Sequence, residues 1–110
     1  MLYTGNNELA LHVADPEAAK AFYVGTLGCD LVDETADCVS LRSGALRLYL
    51  LRDPQPSHEQ VVPSFDVADR KGAIEELLRL GCALVPIGPH SPDAHYVRDP
   101  YGILFDVVQR

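Results

Sequence analysis

Apolar residues recur at every second position in four stretches of the chain. Residues 8–14 put Leu9, Leu11 and Val13 on one side and Glu8, Ala10 and His12 on the other, the pattern of a strand with one buried face. Residues 45–51 repeat it, with Leu46, Leu48 and Leu50 against Arg47 and Tyr49. A strand restarting at Val61 or Val62 sets Pro63, Phe65 and Val67 against Val62, Ser64 and Asp66. The last strand, 103–108, sets Ile103, Phe105 and Val107 against Leu104, Asp106 and Val108. Shorter strands are predicted over 29–33, 38–42 and 94–98, and after Leu80-Gly81 through Val85. Pro63 lacks an N–H donor, which predicts a place near a sheet edge for its strand.

Between these strands the period changes to that of a helix. Ala18, Ala21, Phe22 and Gly25 share one side, widened by Ala19 and Tyr23. Asp15 has the chemistry of an N-cap, Pro16 suits the first turn, and Leu27-Gly28 marks the expected end. The second helix has Asp69 as its cap and a stripe of Ala73, Ile74, Leu77 and Leu78, with Glu75, Glu76 and Arg79 toward solvent. It ends at Leu80-Gly81-Cys82, as the first ends at Leu27-Gly28-Cys29. One supersecondary unit is thus written twice: strand, helix, then three strands. The Pro-containing stretch 52–60 is the hinge between modules 8–51 and 61–108 of a single domain, 1–110. Two helices cannot cover both faces of such sheets, so the expected fold is α+β. Two tandem βαβββ modules form a trough-like, mixed-sheet half-barrel with the helices outside. The period of two then lines the trough with Glu8, His12, Arg47, Tyr49, Ser64, Asp66 and Asp106.

Composition narrows the partners. A chain of 110 residues, 47% hydrophobic, has room for one modest core shared by both modules. Its net charge of −7 opposes binding to a nucleic-acid backbone and keeps a small protein in solution. No apolar run is long enough to span a membrane, and no signal peptide is expected. Three cysteines without a Cys-x-x-Cys spacing point to the cytoplasm, with Cys29 and Cys82 as small core residues. There is no phosphate-cradling Gly-rich loop, no nucleophile elbow and no His-Glu-x-x-His spacing. His58 in the hinge, His90 in a Pro-flanked loop and His95 near a strand start read as surface groups.

Val13-Ala14-Asp15-Pro16 followed by Phe22-Tyr23 and Leu27-Gly28, the second Val67-Ala68-Asp69 and Leu80-Gly81, and Asp99-Pro100-Tyr101-Gly102 before a terminal alternating strand together carry a resemblance. The chain resembles the vicinal oxygen chelate superfamily, which includes glyoxalase I, bleomycin and fosfomycin resistance proteins and extradiol dioxygenases. The resemblance implies paired βαβββ modules, dimerisation, and a small ligand in the trough, often with a divalent metal chelated by two neighbouring oxygens of the substrate. At the positions where metal-dependent relatives place ligands, this chain has Glu8, Val62, Arg47 or Tyr49, and Asp106. Two carboxylates remain, so the expected cofactor is one divalent metal ion held by Glu8 and Asp106, or none.

The candidate catalytic groups are Glu8, Asp106 and His12: two carboxylates and an imidazole suited to proton transfer. Arg47, Tyr49, Ser64 and Asp66 are candidate ligand-binding groups. Three functions stand open. The first is a glyoxalase-like isomerase or lyase that abstracts a proton next to a chelated or hydrogen-bonded oxygen. The second is a metal-free small-molecule binding protein of the bleomycin resistance type, and the third a non-catalytic structural subunit. The expected partners are a small-molecule ligand and a second copy in a homodimer, with neither nucleic acid nor membrane.

Overall fold

In the computed structural model, which describes residues 2–57, 61–88 and 93–110, the alternating stretches are strands and the periodic stretches are helices. The order is β1 (Thr4–Val13), α1 (Pro16–Gly25), β2 (Asp30–Glu34), β3 (Cys38–Ser43), β4 (Leu46–Arg52), then β5 (Val61–Val67), α2 (Arg70–Arg79), β6 (Ala83–Pro86), β7 (His95–Arg98) and β8 (Leu104–Gln109). The fold is α+β, two tandem βαβββ-like modules with open, mixed sheets. Its compact units are Asn7–Val62, and Pro63–Arg110 with Met1–Asn6, so the first residues of β1 belong with the second module. No helix among the described residues is long and apolar enough to cross a membrane.

Both helices start where a side-chain oxygen meets the free amides of the first turn. Asp15 accepts from the amides of Glu17 (3.1 Å) and Ala18 (3.2 Å), with Pro16 opening α1. Asp69 accepts from the amide of Gly72 at 3.1 Å. Helix α1 ends at Gly25, earlier than the Leu27-Gly28 expected, and Gly28 turns the chain out at φ +73°. Helix α2 closes as a Schellman motif: the Cys82 amide donates to Leu77 O (3.0 Å), the Gly81 amide to Leu78 O (3.3 Å), and Gly81 has φ +98°.

In the N-terminal module the strand order is β2-β3-β4-β1, antiparallel except for the parallel β4–β1 pair. Leu9, Leu11 and Val13 of β1 join Leu48 and Leu50 of β4, Val39 and Leu41 of β3 and Cys29 in one core, closed by Ala19 and Tyr23 of α1. In the C-terminal module β5 pairs in parallel with β8, which continues antiparallel to β7 and β6. Val67, Val97 and Val107 pack with Ala73 of α2, and Ile74, Leu77, Cys82 and Phe105 lean on them. The Arg70 guanidinium donates to the carbonyls of Val107 (2.9 Å) and His95 (3.2 Å), fastening the start of α2 to β8 and β7. Strand β5 is not an edge strand: it has β8 on one side and the first residues of β1 on the other. Pro63 is tolerated because the ladder to β8 begins only at Ser64, so its missing N–H takes nothing from that ladder.

Candidate functional site

Because the odd positions of β1 and the even positions of β4 face α1, the alternate positions share the opposite face. Register then fixes neighbours: Glu8 lies beside Arg47, Ala10 beside Tyr49 and His12 beside Leu51. On the other side of β4, Ser40 lies opposite Tyr49 and Arg42 opposite Arg47. The Arg47 Nε donates to Ser40 Oγ at 3.0 Å, and its guanidinium carbon stands 5.8 Å from the centre of the Tyr49 ring, within cation–π range. Glu8, Arg47 and Tyr49 are half-buried, and Ser40 is buried.

His12 is buried on the same face, with Nδ1 3.2 Å from Asp53 Oδ2. Asp53 is held in turn: its amide donates to Val13 O (2.8 Å), and its Oδ1 accepts from the Gln55 amide (3.1 Å). A carboxylate so fixed sets the orientation of the imidazole.

In the C-terminal module the face away from α2 carries Ser64, Asp66 and Asp106, with Ser64 and Asp106 in register across β5 and β8. Asn6 Nδ2 donates to both Ser64 Oγ (2.9 Å) and Asp66 Oδ1 (2.8 Å), while Arg110 Nε lies 3.4 Å from Asp66 Oδ1. Asp106 Oδ1 accepts from the Val107 amide at 2.9 Å. A cavity of about 220 Å³, lined by Leu2, Thr4, Asp66, Val67, Ala68 and Arg110, opens beside this cluster.

The seven residues expected on the polar faces therefore fall into two sets: Glu8, His12, Arg47 and Tyr49 on one module, Ser64, Asp66 and Asp106 on the other. Ser40, Asp53, Asn6 and Arg110 join them without having been anticipated. Ser40 was readable, since it alternates with Val39 and Leu41. Asp53 lies in the hinge and Asn6 in a polar lead-in, where no periodicity assigns a face. His95 is half-buried in β7, whereas His58 and His90 lie outside the described residues.

The model of the glyoxalase-like domain matches residues 8–108, nearly the whole chain. The chain belongs to the glyoxalase-like family. Its place in the vicinal oxygen chelate superfamily follows, and three solved structures share the fold of this glyoxalase-like chain. A glyoxalase/bleomycin resistance protein/dioxygenase superfamily member from Vibrio splendidus 12B01 is 22% identical, over 97% of this chain and 100% of that one, with a TM-score of 0.69. Methylmalonyl-CoA epimerase from Streptomyces coelicolor, in complex with 2-nitronate-propionyl-CoA, is 17% identical over 98% of each chain, with a TM-score of 0.70. A hypothetical protein from Bacillus halodurans C-125 is 16% identical over 100% of this chain and 96% of that one, with a TM-score of 0.66. At these identities the likeness is one of fold. No curated protein sequence matches the chain.

The metal implied by the resemblance finds an incomplete donor set in this glyoxalase-like chain. Val62 offers no donor and is 1% exposed, and Arg47 is a cation engaged with Ser40. Among the described residues no group of three or more His, Cys, Asp or Glu is placed to hold an ion. The residues at those positions do not fit the four-ligand pattern, and the chemistry below runs through side chains alone.

Proposed function

We propose that this chain is a glyoxalase-like small-molecule enzyme of isomerase or lyase type that moves a proton on the polar face of its N-terminal module. The observation that carries the reading is the register of β1 on β4, which puts Glu8 beside Arg47, with the Arg47 guanidinium over the ring of Tyr49. A carboxylate, a fixed cation and a phenol supply a base, a charge and a neutral donor. Glu8 takes the proton from a carbon next to a carbonyl, and the C–H electron pair moves onto the carbonyl oxygen as an enolate. The Tyr49 hydroxyl donates to that oxygen and the Arg47 charge stabilises it, while Ser40 keeps the guanidinium in place. Protonation of the same carbon on its other face by water gives an epimer. Where that carbon carries a hydroxyl, transfer of the hydroxyl proton to the enolate oxygen and of the Glu8 proton to the former carbonyl carbon gives the hydroxycarbonyl isomer. Expulsion of a leaving group from the β-carbon, with the enolate electron pair re-forming the carbonyl and a new C–C double bond, gives the lyase product.

His12 stands four residues from Glu8 on a strand that rises about 3.3 Å per residue, so about 13 Å separates them. The two cannot serve one carbon atom. In this reading His12, oriented by Asp53, meets a different part of the ligand. A cytoplasmic homodimer completes the proposal. A second reading, metal-free binding without chemistry, is favoured by Val62 and Arg47, which leave the metal positions short of donors.

The test is proton exchange in D2O. The protein is incubated with small aldehydes, ketones and 2-oxo acids, and loss of the C–H signal is followed by proton NMR. Protein-dependent exchange that falls at least 100-fold in Glu8→Gln is expected. Ligands that shift the protein's amide signals without any exchange overturn the enzymatic reading in favour of binding. Elemental analysis of wild type, Glu8→Gln and Asp106→Asn runs alongside, and an ion at about one per chain, lost in both variants, would return a metal to the mechanism.

A further inference from the structure

We propose that the C-terminal module carries a second small-molecule site, on the helix side of its sheet, which takes an uncharged apolar molecule of one or two rings. A cavity of about 340 Å³ lies there, walled by Pro63 and Phe65 of β5, Leu77 of α2, Ile103 and Phe105, with Tyr3 and Asp99 completing the lining. Phe65 and Phe105 point to the side opposite Ser64, Asp66 and Asp106, so the cavity is separate from the polar face. It is not general looseness of the module, because Val67, Ala73, Val97 and Val107 beside it are at most 3% exposed. Well-packed interiors hold few voids larger than a water molecule, whereas ligand pockets run from roughly 300 to 1,000 Å³.

The lining chooses the ligand. Phe65 and Phe105 meet edge to face, with ring centres 5.5 Å apart at 83°, and form an aromatic wall. The Tyr3 hydroxyl donates to Glu76 Oε1 at 2.9 Å. Asp99 Oδ1 accepts from the amides of Tyr101 (2.8 Å) and Ile103 (2.9 Å). A charged ligand would lose its water and find these polar groups already engaged, whereas an apolar one gains burial. An apolar cavity of about 150 Å³ is enough for benzene, so the space here admits one or two rings. Ile103, 58% exposed, stands where a ligand would enter.

The neutral fluorophore N-phenyl-1-naphthylamine tests this on the full chain. Saturable uptake of one molecule per chain is expected, displaced by toluene and not by benzoate. Ile103→Trp adds bulk at an exposed wall position without repacking the core, and Leu77→Phe fills the cavity from the helix; each should weaken binding at least tenfold. In wild type, toluene should shift the amide signals of residues 64, 65, 77 and 103–105. Glu8→Gln should bind the probe as wild type does, so this site and the proton-transfer reading stand or fall separately. Absence of saturable uptake, displacement by benzoate, or unchanged affinity in both filled variants overturns the proposal. So does self-association that excludes the probe as protein concentration rises, which would make a second copy the occupant.

Discussion

The two modules share an element order and differ in how well they are filled. In the N-terminal module, Val39, Leu41 and Leu50 are at most 1% exposed and α1 closes over them. In the C-terminal module, larger side chains wall a space: Phe65, Phe105 and Leu77 surround about 340 Å³ rather than occupying it. Topology is set by features that recur in both copies, namely an Asp at each helix start, a left-handed Gly after each helix and a period-two strand on either side. Packing is set by the volume at each inward position, and there the copies have diverged. Their polar faces have diverged as well, toward Arg47, Tyr49 and a His–Asp pair in one and toward Asp66, Asp106 and Ser64 in the other.

The largest effect should come from truncating the closed core. Leu50→Ala leaves a cavity among side chains with little room to collapse, and should cost about 3–5 kcal/mol by urea denaturation. Leu77→Ala removes the same atoms beside space that already exists, and should cost about 2 kcal/mol, nearer to the transfer free energy alone. Equal losses at the two sites would mean that the C-terminal cavity closes in solution.

The polar faces separate next. If proton transfer belongs to the N-terminal module, Glu8→Gln should lower exchange at least 100-fold, within the usual contribution of a general base. Because Glu8 is half-buried and on the polar face, the same change should move stability by no more than about 0.5 kcal/mol. Exchange that survives Glu8→Gln and disappears in Asp106→Asn would move the chemistry to the other module.

Helix caps give a smaller contrast. Asp15 accepts two amide protons and Asp69 one among the contacts described. Asp15→Ala should cost about 1–2 kcal/mol and Asp69→Ala about 0.5–1 kcal/mol by urea denaturation. The reverse order would show that the start of α2 depends on its cap despite the Arg70 contacts.

Much of this was legible in the sequence because period and punctuation carry it. Leu9, Leu11 and Val13 sort to one face by alternation alone, and Asp15, Asp69, Gly28 and Gly81 mark helix ends by chemistry that local structure enforces. The faces of Glu8, Arg47, Ser64 and Asp106 follow from the same alternation. What stayed hidden depends on contacts far apart in the chain. Asp53 reaches His12 across forty-one residues from a segment without periodicity, and Asn6 meets Ser64 only because β1 extends to Thr4 through polar residues that do not alternate. Pro63 is not the edge marker that its missing donor suggests, because sequence shows a missing donor but not where the partner ladder begins. The cavity was invisible for a similar reason: Phe65, Leu77 and Phe105 all read as core, and only their mutual distances show that they line a space.

The smallest effect concerns the residue that joins the start of the chain to α2. Tyr3 donates to Glu76, and burial together with that hydrogen bond and the neighbouring carboxylate raises its pKa to about 12. An unfolded tyrosine titrates near 10. A folded-state pKa above the unfolded one means that the stabilisation is complete below pH 10 and disappears as the pH climbs toward 12. Absorbance at about 295 nm, which follows ionised phenol, should therefore show one late-titrating tyrosine fewer in Tyr3→Phe than in wild type. The variant should lose about 1 kcal/mol at neutral pH and converge on wild type as the pH approaches 12. No loss at any pH would show that Tyr3 holds the C-terminal module by packing of its ring against the cavity wall, and that its hydroxyl contributes nothing.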